Sequence, residues 1–159
     1  MIGAAKLAIG VGTAVSALAI AGCGQSTSGK VPNFAQVPLV RGARVLVTTP
    51  RCDRGANAFC AVQLVVVDLR FSGSTELMRS ERKVLEKSGW SISDGDISDE
   101  KSAESPGHKL RLTYATASGD LKGIDLGWIR RSRMVALALS RTMFARASAI
   151  SLMLEMGSA

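Results

Sequence analysis

The stretches ARVLVTTP (43–50) and CAVQLVVVDL (60–69) decide the fold of this chain. Both are of strand length and rich in Val, Leu and Thr, side chains that pack well on a pleated surface. They flank CDRGANAFC (52–60), a connection short enough that the two runs must turn back on each other. The expectation is an antiparallel hairpin.

Downstream, the pattern changes period. Thr75 to Ser88 reads as an amphipathic helix, with Ser74 as N-cap and Glu76 in the first turn. Leu77, Met78, Val84 and Leu85 form its apolar stripe, while Arg79, Arg82, Lys83, Glu86 and Lys87 face water. Gly89 is a natural stop, and Trp90 supplies the hydrophobic residue just beyond it. Trp90 to Ile92 can begin a short strand. The acidic, serine-rich stretch from Ser93 to Pro106 reads as a loop or turn region. Lys109 to Ser118 alternates cleanly, with Leu110, Leu112 and Tyr114 on one side. A turn at Gly119-Asp120 follows, and Leu121 to Trp128 pairs weakly if at all.

Ser132 to Met143 reads as a second helix, with Met134, Leu137 and Ala138 on one face; Ile150, Leu152, Leu154 and Met156 alternate as a closing strand. The rival is one long helix from Arg131 to Leu154. The favoured result is an α+β domain over residues 43–159, in the order β-β-α-β-β-α-β. It has a single antiparallel or mixed sheet of about five strands, with two helices packed on one face. No internal repeat is present.

Upstream, Gly24 to Gly42 contains GQSTSGK and the prolines Pro32 and Pro38, the composition of a flexible tether; an ordered strand around Val37 to Val40 is the alternative. Before it, Met1 to Lys6 carries one positive charge, Leu7 to Ile20 is apolar, and Ile20-Ala21-Gly22-Cys23 closes the segment. That tetrapeptide, in this context, resembles the lipobox of bacterial lipoproteins. The resemblance implies that residues 1–22 are a signal peptide and that a diacylglyceryl group joins the Cys23 sulfur. A dedicated signal peptidase would recognise Ile20, Ala21 and Gly22, the last two small enough to let it approach the backbone, and cut before Cys23. In many such proteins the freed amino group is acylated too. The partners implied are the lipoprotein-processing enzymes and the membrane itself, with the domain on the extracytoplasmic face of the cell membrane. Two or more acyl chains make a stable tether where one is marginal. Gly24, not Asp, follows the cysteine, so no inner-membrane retention signal is seen. The rival is a spanning helix with an incidental cysteine, but Leu7 to Gly22 falls short of the roughly 20 apolar residues that a span requires.

Export places Cys52 and Cys60 where they can oxidise, and a structural disulfide between them is the expectation. Redox work would want Cys-x-x-Cys, and a metal site would want more ligands than the lone His108 offers. No metal or cofactor is expected. The chain carries 20 basic against 13 acidic residues, and only Lys6 falls within the first 22. With 4% aromatics and no nucleic-acid module, the balance points away from nucleic acid. It fits solubility and attraction to an anionic lipid or wall polymer.

Partial matches to known chemistry do not hold up. Ser80-Glu81-Arg82-Lys83 fits the Ser-x-x-Lys spacing of penicillin-interacting enzymes, but their other two elements are missing. Asp94, Asp96, Asp99 and Glu100 do not match a calcium loop, which wants Gly where Asp99 sits and Glu where Ser105 sits. His108 has no placed nucleophile or acid to make a triad. The order Cys-strand-Cys, the helix ending in Gly89-Trp90 and the stretch LRLTYATASGDL also resemble small uncharacterised lipoproteins of high-GC Gram-positive bacteria, a likeness that brings no activity. Two functions are therefore carried: a non-enzymatic binding or assembly module of the cell envelope, partnered by an envelope protein or anionic polymer, and a small envelope enzyme or accessory subunit acting through carboxylates and arginines. Two converging acids in a pocket would favour the enzyme; a flat exposed apolar or basic patch would favour the module.

Overall fold

A computed structural model of the chain describes residues 29–52, 59–94, 99–121 and 131–157. The hairpin is as expected. Strands β1 (Arg44–Cys52) and β2 (Cys60–Val67) pair antiparallel from Arg44 opposite Val67 to Cys52 opposite Cys60, with a bulge between Val45 and Val47. Three further strands form a meander: β3 (Ser91–Asp94), β4 (Glu100–Glu104) and β5 (Leu110–Ala115). The last strand, β6 (Ala149–Met156), inserts between β2 and β5 and is antiparallel to both. One six-stranded antiparallel sheet results, in the order β1-β2-β6-β5-β4-β3.

The sixth strand corrects the expectation of about five, and it comes from the acidic stretch read as a loop. Glu100–Glu104 pairs on both sides, and only Ala103 of its five residues is buried. A strand near a sheet edge needs little apolar content and often carries charge, so its composition imitates a loop. The tip of the β3–β4 hairpin and the segment 122–130 lie outside the described residues, as does most of the weak pairing considered for Leu121 to Trp128.

Helix α1 (Ser74–Lys87) starts one residue earlier than expected, with Gly73 as N-cap. Glu76 accepts from the Ser72 N–H at 2.9 Å, which satisfies a donor just outside the first turn. The stop falls as read from sequence. Gly89 takes φ +81°, its N–H donates to the Glu86 carbonyl, and the Trp90 N–H donates to the Leu85 carbonyl. This is the Schellman arrangement, and Trp90 and Leu85 are buried in the same cluster. The second helix is shorter than expected. Ser132 caps α2 (Arg133–Ala138), its Oγ accepting from the Val135 N–H at 3.2 Å, and after Leu139-Ser140 a single turn α3 (Arg141–Phe144) follows. The rival long helix is overturned by β6.

Side-chain alternation then places the helices. Val62, Leu64 and Val66 of β2 share a core with Leu77, Met78 and Leu85 of α1, Leu112 and Tyr114 of β5, and Ile150, Leu152 and Leu154 of β6. The intervening residues Val65 and Val67 point the other way, into a cluster with Val135 and Leu139 of α2, Phe144 of α3 and Ala149. The two helical units therefore cover opposite faces, not one face as expected. Burial of all eight β2 residues is the direct consequence.

The expected tether also ends earlier than Gly42. Pro32 is buried, Phe34–Gln36 forms a 3-10 turn capped by Asn33, and Val37 joins the α1-side core. Residues 29–43 form a strap across that face. At its far end Gly42 has φ +89°, and the Arg70 guanidinium stands where a Cβ would be.

Leu152 is buried in β6 and faces α1. Leu152→Ala is expected to lower stability by about 3 kcal/mol, transfer and cavity terms together. Urea denaturation of the full chain is the measurement, and a loss below about 1 kcal/mol would show that this core does not hold β6 in place.

Candidate functional site

Ile20, Ala21, Gly22 and Cys23, the residues singled out for processing and lipid attachment, lie outside the described residues. Cys52 and Cys60 are joined by a disulfide at the turn end of the β1–β2 hairpin, where β1 finishes and β2 begins. The Gly29 carbonyl oxygen lies 2.9 Å from Cys60 Sγ; the disulfide sulfur has no proton to donate, so this is a contact and not a hydrogen bond. The first described residue thus rests on the sheet end where β1 finishes and β2 begins. An open groove of about 560 Å³ sits there, lined by Gly29, Lys30, Phe59, Cys60, Glu155 and Met156. Among its described lining residues the carboxylate is Glu155, raised from the ordinary glutamate range by burial, with the nearby Arg111 charge opposing that shift.

The residues set aside on sequence grounds gather at no common point. Ser80 is half-buried mid-helix, Glu100 is in β4, and the Asp96 position is outside the described residues. His108 is exposed at φ +53° and pairs with Glu104. Among the described residues no three His, Cys, Asp or Glu side chains come together as metal ligands.

Sequence reading missed Glu81. It sits four residues from both Leu77 and Leu85, in the middle of the α1 apolar stripe, and is 0% exposed. The spacing was visible, since any residue at that position must point into the sheet. Its Oε2 accepts from the Val40 N–H at 3.0 Å, which latches the strap to the helix. Oε1 has no hydrogen-bond partner among the described residues. Burial outweighs the Val40 hydrogen bond and pushes the carboxyl up to about 7. The other buried acids behave differently. Asp68 accepts from the Arg70 guanidinium and N–H, which hold it below the usual carboxylate range, and Asp120 pairs with Arg131 at 2.7 Å.

A different surface is exposed where burial would be expected. Met134 and Leu137 lie one turn apart on α2 and are 63% and 54% exposed; Met143 on α3 is 50% exposed. Residues three apart share a helix face, so the outer side of this helical unit carries an apolar ridge while Val135 and Leu139 anchor its inner side. Leu46, at the β1 bulge of the strand on which α2 packs, is 45% exposed. Sequence analysis put Met134 and Leu137 on one face but assigned that face to the core. The shortness of α2 gave no periodicity to separate the two sides.

No family model, curated protein or solved structure matches this chain. The reading of function rests on its own geometry.

The Glu81 shift fixes a pH dependence. The carboxyl titrates near its ordinary 4.5 when unfolded and near 7 when folded, so the folded state holds the extra proton between those values. Its contribution is full below pH 4.5, falls as pH rises through 7, and is then flat, a loss of about 3 kcal/mol in all. Glu81→Gln keeps an acceptor for Val40 and cannot ionise. It is expected to be more stable than the parent at pH 8 and to flatten the pH 5–7 slope in thermal melts; an unchanged slope would show that Glu81 is solvated in the folded state.

Proposed function

We propose that this chain is an extracytoplasmic lipoprotein, anchored by lipid on Cys23, whose domain is a non-enzymatic binding or assembly module of the cell envelope. The address rests on Ile20-Ala21-Gly22-Cys23 after an apolar segment. The Cys52–Cys60 disulfide supports it, because such bonds persist in oxidising compartments outside the cytoplasm.

One observation carries the module reading: the Met134, Leu137 and Met143 ridge, exposed on a helical unit whose other side is buried. Methionine and leucine in such a position suit an adaptable apolar contact with a protein partner. Among the described residues the groove at the sheet end is lined by one acid, Glu155, where the enzyme reading wants two converging, and Glu81 is sealed in the core. The basic balance supports a partner or surface that is anionic.

Mass spectrometry of the mature N-terminus tests the address. A Cys23-initiated, acylated chain is expected, and Cys23→Ala should release the domain from the membrane fraction; retained residues 1–22 would refute the anchor. For the module, the double variant Met134→Lys, Leu137→Lys is expected to melt within about 0.5 kcal/mol of the parent, as exposed substitutions do. In situ crosslinking of the lipidated protein should lose at least one adduct in the variant. Identical adduct patterns in parent and variant would remove the ridge as a docking surface.

A further inference from the structure

We propose that the sheet end carrying Cys60, Met156 and Lys109 is the surface that rests on anionic phospholipid headgroups of the anchoring membrane; this rests on the Cys23-anchored reading. Three observations converge on it. The first is the reach of the chain. Gly29 touches Cys60 at this end, and six residues from Cys23 to Gly29 span at most about 20 Å. β1 has nine residues, so the opposite end of the sheet lies about 30 Å further along the strands. With the lipid on Cys23, only the Cys60 end is held against the headgroups.

The second is charge. Arg51, Ala61, Glu155, Arg111 and Glu104 form one cross-strand row over β1-β2-β6-β5-β4, so two exposed arginines flank the half-buried Glu155. Lys30 lines the groove, and Lys109 is fixed beside the end of β6 because its carbonyl accepts from the Gly157 N–H at 2.9 Å. Both lysines are exposed. Glu104 is engaged by His108. Among the described residues, the surface left to meet the membrane is basic. At the other end of the sheet Arg70 is paired with Asp68 while Arg41, Arg44 and Arg146 are exposed, so the reach of the chain, and not charge alone, chooses the end. The third is the groove itself, where Met156 and Phe59 supply apolar wall beside Lys30, a combination suited to the headgroup zone. Basic residues close to an anionic bilayer each gain attraction that fades within a Debye length, so short reach and positive charge reinforce each other.

Native lysines report the orientation without substitution. The full lipidated protein is reconstituted in equimolar phosphatidylglycerol–phosphatidylcholine vesicles and, separately, in pure phosphatidylcholine, then exposed to a water-soluble acetylating reagent. Lys30 and Lys109 are expected to react roughly fivefold more slowly on the anionic vesicles, with the difference vanishing at high salt, while exposed Arg146, just before β6 at the other end of the sheet, reacts equally on both with phenylglyoxal. Equal rates for Lys30 and Lys109 on the two vesicle types, or protection at Arg146 instead, overturn the proposal. Mass spectrometry of the same sample reads Cys23. An unacylated cysteine overturns the anchored reading and this orientation together, whereas an acylated chain with unprotected lysines overturns the orientation alone.

Discussion

One six-stranded sheet exists only because β6 enters between β2 and β5. Along the chain, β1–β2 and β3–β4–β5 are separate antiparallel units, and α1 carries the chain from the first to the far edge of the second. Residues 149–156 then supply both inner ladders, with seven register pairs to β2 and six to β5. A two-stranded hairpin is marginal in water, and a three-stranded unit with one covered face is not much better. Both wait on a strand that begins 82 residues after β2 ends, at Ala149 against Val67. The α1-side core assembles around the same strand, since Ile150, Leu152 and Leu154 sit between the β2 and β5 contributions to it. Folding is therefore governed by long-range pairing, which closes a large loop before it rewards it.

How far this was legible depended on where each residue's environment comes from. The hairpin, the α1 stop at Gly89-Trp90 and the closing strand are set by local pattern, and they were readable. Coverage of both faces was also written in the chain, in β2. CAVQLVVV lacks the polar alternation of a strand with one wet face, so an arrangement with both helices on one side would have left Ala61, Val65 and Val67 exposed. Nothing comparable marks β4. Its neighbours supply its hydrogen bonds, Ala103 supplies its core contact, and its charges are those of a loop. The ridge on α2 was half-readable, its shared face visible and its direction hidden, because Val135 and Leu139 fill the inner side with only two residues.

Glu81 shows how a buried polar group can be retained at a cost. A carboxyl at the centre of the α1 stripe with one oxygen unpartnered is a poor core residue by any transfer scale. What it provides is an acceptor for the Val40 N–H, a backbone donor in the strap that lies beside the sheet and outside its ladders. Without such an acceptor the strap would bury an unsatisfied N–H, or stay off the α1 face and uncover Val37. An apolar side chain of the same size would pack better against Leu77 and Leu85, but it could not take that hydrogen bond. The acid thus ties the N-terminal strap to the helix most deeply embedded in the core, and its protonation near neutrality limits the cost of doing so.

The path of the strap completes this logic. From Gly29 against Cys60, the chain crosses the α1 face to Gly42, whose φ and contact with the Arg70 guanidinium fix the turn into β1. β1 then runs back to Cys52, and the disulfide returns the load to β2 at the end where the strap began. A pull on the N-terminal side of Gly29 is met first by strap contacts on the α1 face and then by the β1–β2 ladder. α2 lies on the other face, over β1 and β2, and takes no part in that path. Its apolar ridge therefore lies open on the face opposite the strap, so the proposed anchor and the proposed docking surface would use different faces of one sheet.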